Sequence, residues 1–186
     1  MTVEIRSREA TFLIDSGNDL RRVTDGLSNA QLRYRSKDDA WCIAEILEHL
    51  AVVEHAFTHH VAPRLPDAPA ADPAREARVI DDHILALEPD PTAAVTAEGR
   101  PLSRVPSTVA PRGRWQPAEC AEKFFASRQQ TLEFLNNVTW PRHQHVIDNG
   151  AFGPLDAQQW ALFLSTHVTR HVRQIEGIRA DRDFPT

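Results

Sequence analysis

The sequence predicts an all-α protein, a four-helix bundle with one long connection, and three observations carry that prediction. Apolar residues recur at three- and four-residue spacing in four long segments. Alternating apolar and polar patterns, the mark of strands, are nearly absent. Ten of the thirteen prolines fall between residues 62 and 117, which separates two pairs of helices by a stretch that cannot be one helix.

The first helix is expected from about Ser7 to Leu27, with Phe12, Leu13, Leu20, Val23 and Leu27 in its stripe. Asp25-Gly26 and Ser28-Asn29 mark its end. The second is expected from Trp41 to Val61, with Ile43, Ile46, Leu47, Leu50, Val53 and Phe57 on one face, closed by Pro63 and Pro66. The third starts at Pro117, where a missing N–H costs nothing, and runs through Phe124, Leu132 and Leu135 to Val138. The fourth opens at Asp156, with Gln159 as its capping-box partner, and reaches Arg179. Within the Pro-rich crossover, residues 62–117, a short helix fits between Ala74 and Leu87. A connection of that length inside a bundle is uncommon unless it covers something.

The chain has 186 residues, enough for one cored domain spanning 1–186 and too few for two. A formal net charge of -5 gives no basic face for nucleic acid. No apolar run is long enough to cross a bilayer, and the N-terminal residues lack a signal-peptide pattern, so no membrane partner and a cytoplasmic location are expected. Cys42 and Cys120 lie in helical patterns and make no disulfide framework.

The nine histidines carry the functional information. His167 and His171 are four residues apart, which stacks both rings on the face shared with Trp160, Leu164, Gln174 and Ile178. Spacing alone leaves two readings open: two core histidines, each with its own buried acceptor, or one metal ion that takes both lone pairs. His49 sits at the edge of the second helix's stripe, in line with Val53, Ala56 and His60, and is the candidate third ligand. His60 is expected to be solvated, His55 and His59 to lie on the polar side, and His83, His143 and His145 to stand away from the site.

Two pieces of the chain resemble the DinB-like family of metal-binding helical bundles, which includes the YfiT-type metal hydrolases. One is Trp41-Cys42-Ile43-Ala44-Glu45 with Glu48-His49-Leu50, similar to a family signature of Trp-Ser/Thr-x-x-Glu-x-x-x-His-Leu. The other is Phe152-Gly153-Pro154-Leu155, Gln159-Trp160, His167-x-x-x-His171 and Gln174-Ile175. The resemblance implies an up-down-down-up bundle with His49, His167 and His171 as ligands. Cys42 departs from the family's Ser or Thr cap, and a poorer cap costs on the order of 1 kcal/mol.

Three neutral imidazoles leave an ion its full charge and an open position for water or substrate. Zinc and nickel both suit imidazole. Because relatives include thiol-dependent enzymes, the resemblance implies a transferase using a low-molecular-weight thiol ahead of a hydrolase, with a non-enzymatic metalloprotein as the competing class. A small-molecule substrate is the expected partner, and an exposed apolar helix face would make a homodimer. No residue stands out as catalytic. Glu45, Glu54 and Gln174 are candidates to bond a ligand's second nitrogen, Gln174 also to touch substrate, and Arg170 to receive an anionic group or pair with a carboxylate inside the bundle; ordinary structural pairing is the alternative for each, and Glu48 is expected to face solvent. Trp115 and Arg112-Gly113-Arg114 are read as a solvated loop with one anchoring aromatic.

Overall fold

The computed structural model describes residues 7–38, 40–86 and 107–186. The described chain is predominantly helical: α1 (Arg8–Thr24), α2 (Asn29–Arg33), α3 (Ile43–Ala56), α4 (Ala77–Leu85), α5 (Pro117–Asn137) and α6 (Ala157–Arg179). Each long helix starts where the sequence supplies a reason. The Ser7 side chain accepts from the Ala10 N–H. Pro117 opens α5, and Asp156 with Gln159 forms the expected reciprocal cap on α6. The Glu45 half of the α3 cap also forms, its Oε2 accepting the Cys42 N–H at 2.9 Å.

Three local features depart from the sequence expectation. Ser28 ends nothing; it caps α2, a five-residue helix. The second helix does not stop at the prolines. It widens into a π turn at Phe57–Val61 and tightens into a 3₁₀ segment at Ala62–Asp67, which accommodates Pro63 and Pro66. Two short strands, β1 (Ile147–Asp148) and β2 (Pro154–Leu155), pair antiparallel with Ile147 opposite Leu155. Gly150 and Gly153, at φ 80° and 70°, turn the chain between them. Part of the Pro-rich crossover, 87–106, lies outside the described residues.

Helix α3 packs most closely on α5, and α1 on α6, with α4 laid against α6. The apolar stripes meet in two clusters. One gathers Leu13, Phe57, Leu65, Ile84, Leu135, Phe152, Trp160 and Leu164. The other gathers Leu20, Ile43, Ile46, Leu47, Leu50, Phe124, Val168, Val172 and Ile175. Arg128 of α5 touches both, bonding to the Leu13 carbonyl at 2.7 Å and lying 5.0 Å from the Phe124 ring centre. Among the described residues, no helix is long and apolar enough to cross a membrane.

Candidate metal centre

Helices α3 and α6 bring together the three histidines that the sequence singled out. His49 Nε2 lies 3.1 Å from His167 Nε2, and His171 Nε2 lies 3.2 Å from the same atom. One ligand atom from each ring falls within 4.8 Å of the others. His49 and His171 are buried, and His167 keeps partial exposure.

The second nitrogens fix how the rings present themselves. His49 Nδ1 is 2.9 Å from the Val109 carbonyl, which can only accept, so Nδ1 carries the proton and Nε2 keeps a lone pair. His171 Nδ1 is 2.9 Å from Gln174 Oε1 and is oriented the same way. Flat faces hold the rings in place. Phe163 stacks on His167 at 5.4 Å, and Trp41 lies nearly parallel to His171 at 6.4 Å and packs on His49 at 5.1 Å.

The three Nε2 atoms meet at one point, and without an ion a neutral His167 can carry its proton on Nε2 and share it with a neighbour. Charging a ring there is disfavoured. Burial pulls all three rings below the ordinary histidine range, His171 to about 3 and His167 well below it. Mutual repulsion and the charge of Arg170 add to this. A divalent ion fits better: two imidazole nitrogens bound at ~2.0–2.1 Å in tetrahedral geometry lie about 3.3 Å apart, close to the 3.1 and 3.2 Å found. The cluster could therefore hold a metal ion. Among the described residues no Cys, Asp or Glu joins the group as a fourth ligand.

Glu48 corrects the sequence reading. It points away from the ligand set, as ~100° per residue requires, but the face it occupies is covered, and it is only 3% exposed. Its carboxylate accepts the consecutive N–H groups of Arg112 and Gly113, both at 2.8 Å, and pairs with Arg114 at 2.6 Å. Gly113, at φ 71°, permits the turn that aims both N–H groups at one anion. Burial alone would raise the Glu48 pKa; these donors outweigh it and bring it below the ordinary carboxylate value. The same loop carries Val109. Thus Glu48 on α3 anchors the segment whose carbonyl orients its neighbour His49. The Arg112–Arg114 run is accordingly a tethered loop, while Trp115 packs against the second apolar cluster as the expected anchor.

The other candidates separate cleanly. Gln174 bonds a ligand's second nitrogen, as expected. Glu54 does not: it is buried and paired with Arg128. Glu45 serves the α3 cap and Arg35. His145 Nδ1 bonds the Ala68 carbonyl, and His143 faces Asp156. His55, His59, His60 and His83 are exposed. Val109 and Glu48 were missed in the ligand-supporting role, though the adjacency of an acidic residue to His49 was a usable signal.

Comparison with known proteins places the chain in a family. The family model of the DinB superfamily matches residues 13–175, a span that contains all three histidines. The chain is also similar to the uncharacterized protein YuaE of Bacillus subtilis (strain 168), at 22% identity over 167 residues covering 89% of this chain and 91% of the relative. The chain belongs to the DinB superfamily.

Proposed function

We propose that the protein is a single-domain, up-down-down-up helical bundle that binds one divalent ion, zinc or nickel, through His49, His167 and His171. In this reading it is a cytoplasmic metal-dependent transferase that uses a low-molecular-weight thiol. The observation that carries the metal reading is the convergence of three imidazole nitrogens with two of their tautomers fixed from behind. An ion held there would polarise water or a thiol at its open position and lower that group's pKa. Burial keeps His49 and His171 neutral, and the bonds from their Nδ1–H groups to Val109 and Gln174 leave Nε2 as the free donor atom. Arg170, whose charge is felt by all three rings, would favour an anionic substrate or thiolate.

The chain's own thiols support an external one. Cys42 and Cys120 are buried and free, and burial raises both pKa values, Cys120 to about 11. Neither would supply a thiolate at neutral pH. A screen of metal-loaded protein with small thiols and carbon electrophiles tests the reading. Turnover that requires both metal and thiol is expected. Ester or amide hydrolysis without thiol would replace it with the hydrolase reading. Metal binding with neither activity favours a non-enzymatic staple, a reading supported by the ligands' bridging of α3 and α6.

Glu48 provides a second check. Glu48→Ala is expected to weaken metal binding about 10–100-fold, the usual cost of losing support behind a ligand, while all three histidines remain. Competition against a chromophoric chelator measures it; unchanged affinity would show that the 107–116 loop does not position His49.

A further inference from the structure

The polar groups of residues 107–116 are divided between α3 and the segment's own arginines. Each of four consecutive carbonyls has a donor. Ser107 takes the Arg112 side chain at 2.6 Å, Thr108 and Ala110 take Arg114 at 3.5 and 2.8 Å, and Val109 takes His49 Nδ1–H at 2.9 Å. Arg114 thus grips the carbonyls on either side of the one that meets the ligand. Its Nη1 also reaches Glu48 Oε1 at 2.6 Å, and the same carboxylate accepts the Arg112 and Gly113 N–H groups.

Two neighbouring residues of α3 therefore hold one segment by opposite means: Glu48 accepts from it and His49 donates to it. Arg114, with its side chain 26% exposed, spans both attachments. Trp115 fixes the far end by packing against the second apolar cluster, with Lys123 Nζ 5.0 Å from its ring centre. Polar groups shared in this way act as a unit. A cation on His49 Nε2 makes Nδ1–H a stronger donor to Val109, because a hydrogen bond with charge on one side is stronger than a neutral one.

We propose that residues 107–116 are a metal-responsive strap with Arg114 as its positioning residue. An ion at the triad tightens the strap through His49 and Val109, and the closed strap in turn holds His49 on the ion. The coupling rests on the triad's taking an ion. Linkage makes the two effects equal: the factor by which metal favours closure is the factor by which closure favours metal. Arg114 acts through the Val109 carbonyl rather than on the ion.

Hydrogen exchange read by mass spectrometry on the full chain, with and without Zn(II), tests the assignment. Protection of 107–116 is expected to rise about fivefold or more with Zn(II), the lower end of ordinary coupling between sites, while α2 stays unchanged. In Arg114→Met the gain should disappear and Zn(II) should bind several-fold more weakly, with the far-UV circular dichroism of wild type. Arg114→Lys, which keeps a donor for Glu48 and one carbonyl, should recover most of both. The wild-type comparison stands even where a variant fails to fold. Zn(II) bound with no added protection of the strap in wild type would overturn the proposal and leave the metal site standing. An Arg114→Met protein that keeps both the gain and the wild-type affinity would overturn it too. Absence of any Zn(II) binding would remove the coupling and the metal reading together.

Discussion

Glu54→Ala is expected to lower the unfolding free energy by about 3–5 kcal/mol, the usual cost of stranding one member of a buried ion pair. The pair is buried on both sides, with Arg128 4% and Glu54 1% exposed. Arg128 meets the carboxylate with two parallel bonds, Nε to Oε1 at 2.8 Å and Nη2 to Oε2 at 2.9 Å. Thr131 donates to Oε1 at 2.8 Å, and Arg128 Nη1 reaches the Leu13 carbonyl and Ser16 Oγ of α1. One charge pair thereby ties α3, α5 and α1 at the junction of the two apolar clusters.

Removing Glu54 leaves a guanidinium with no counter-charge in a place water does not reach. Urea unfolding followed by circular dichroism measures the loss. Replacing both partners, as in Glu54→Leu with Arg128→Met, should recover a substantial part of it, because two apolar side chains strand no charge. A loss under about 1 kcal/mol in Glu54→Ala, the range of an exposed pair, would show that the network contributes no more than a surface bridge.

How much of this could be read from the sequence depends on how local each cause is. Helix starts were legible because Ser7, Pro117 and the Asp156–Gln159 box act within one turn. The His167–His171 pair was legible for the same reason, and Gln174 one turn further on. His49 needed the resemblance, because a position at the edge of a stripe does not say which neighbour it meets. Glu48 was misread because its partners come from residues 112–114, more than sixty positions along the chain. Periodicity describes a helix against an average neighbour and carries no record of a loop returning over its polar face. Glu54 was legible only as a choice: its register allowed contact with a ligand or an ordinary structural pair, and packing of α5 against α3 decides for the pair, with Arg128 taking both oxygens. The π turn at Phe57–Val61 has no local signature comparable to a cap or a proline stop.

The second large effect concerns pH. In the metal-free protein, the triad should make stability fall as pH drops below about 6.5. The three rings are neutral in the folded state with depressed pKa values, whereas in the unfolded chain they protonate near the ordinary 6.5. The unfolded state therefore binds more protons in this window, which for His171 extends down to about 3. Stability conferred by the neutral rings is fully present above 6.5 and drains away below it. Each ring that stays neutral while folded contributes a slope approaching about 1.4 kcal/mol per pH unit. Denaturant midpoints from pH 8 to 5, compared with His171→Phe, measure it. The substitution should flatten the profile; identical slopes in the two proteins would contradict the burial of a neutral imidazole.

The most direct test of the central claim is metal quantification. Purified protein stripped with chelator and titrated with Zn(II) or Ni(II) is expected to show one tight equivalent that disappears in His49→Ala, His167→Ala and His171→Ala, each checked for a folded spectrum. The bound ion should raise the wild-type melting temperature and leave those of the three variants unmoved. If folded wild type binds no tight equivalent of either ion, or if the variants bind it as well as wild type, the three histidines are not a metal site.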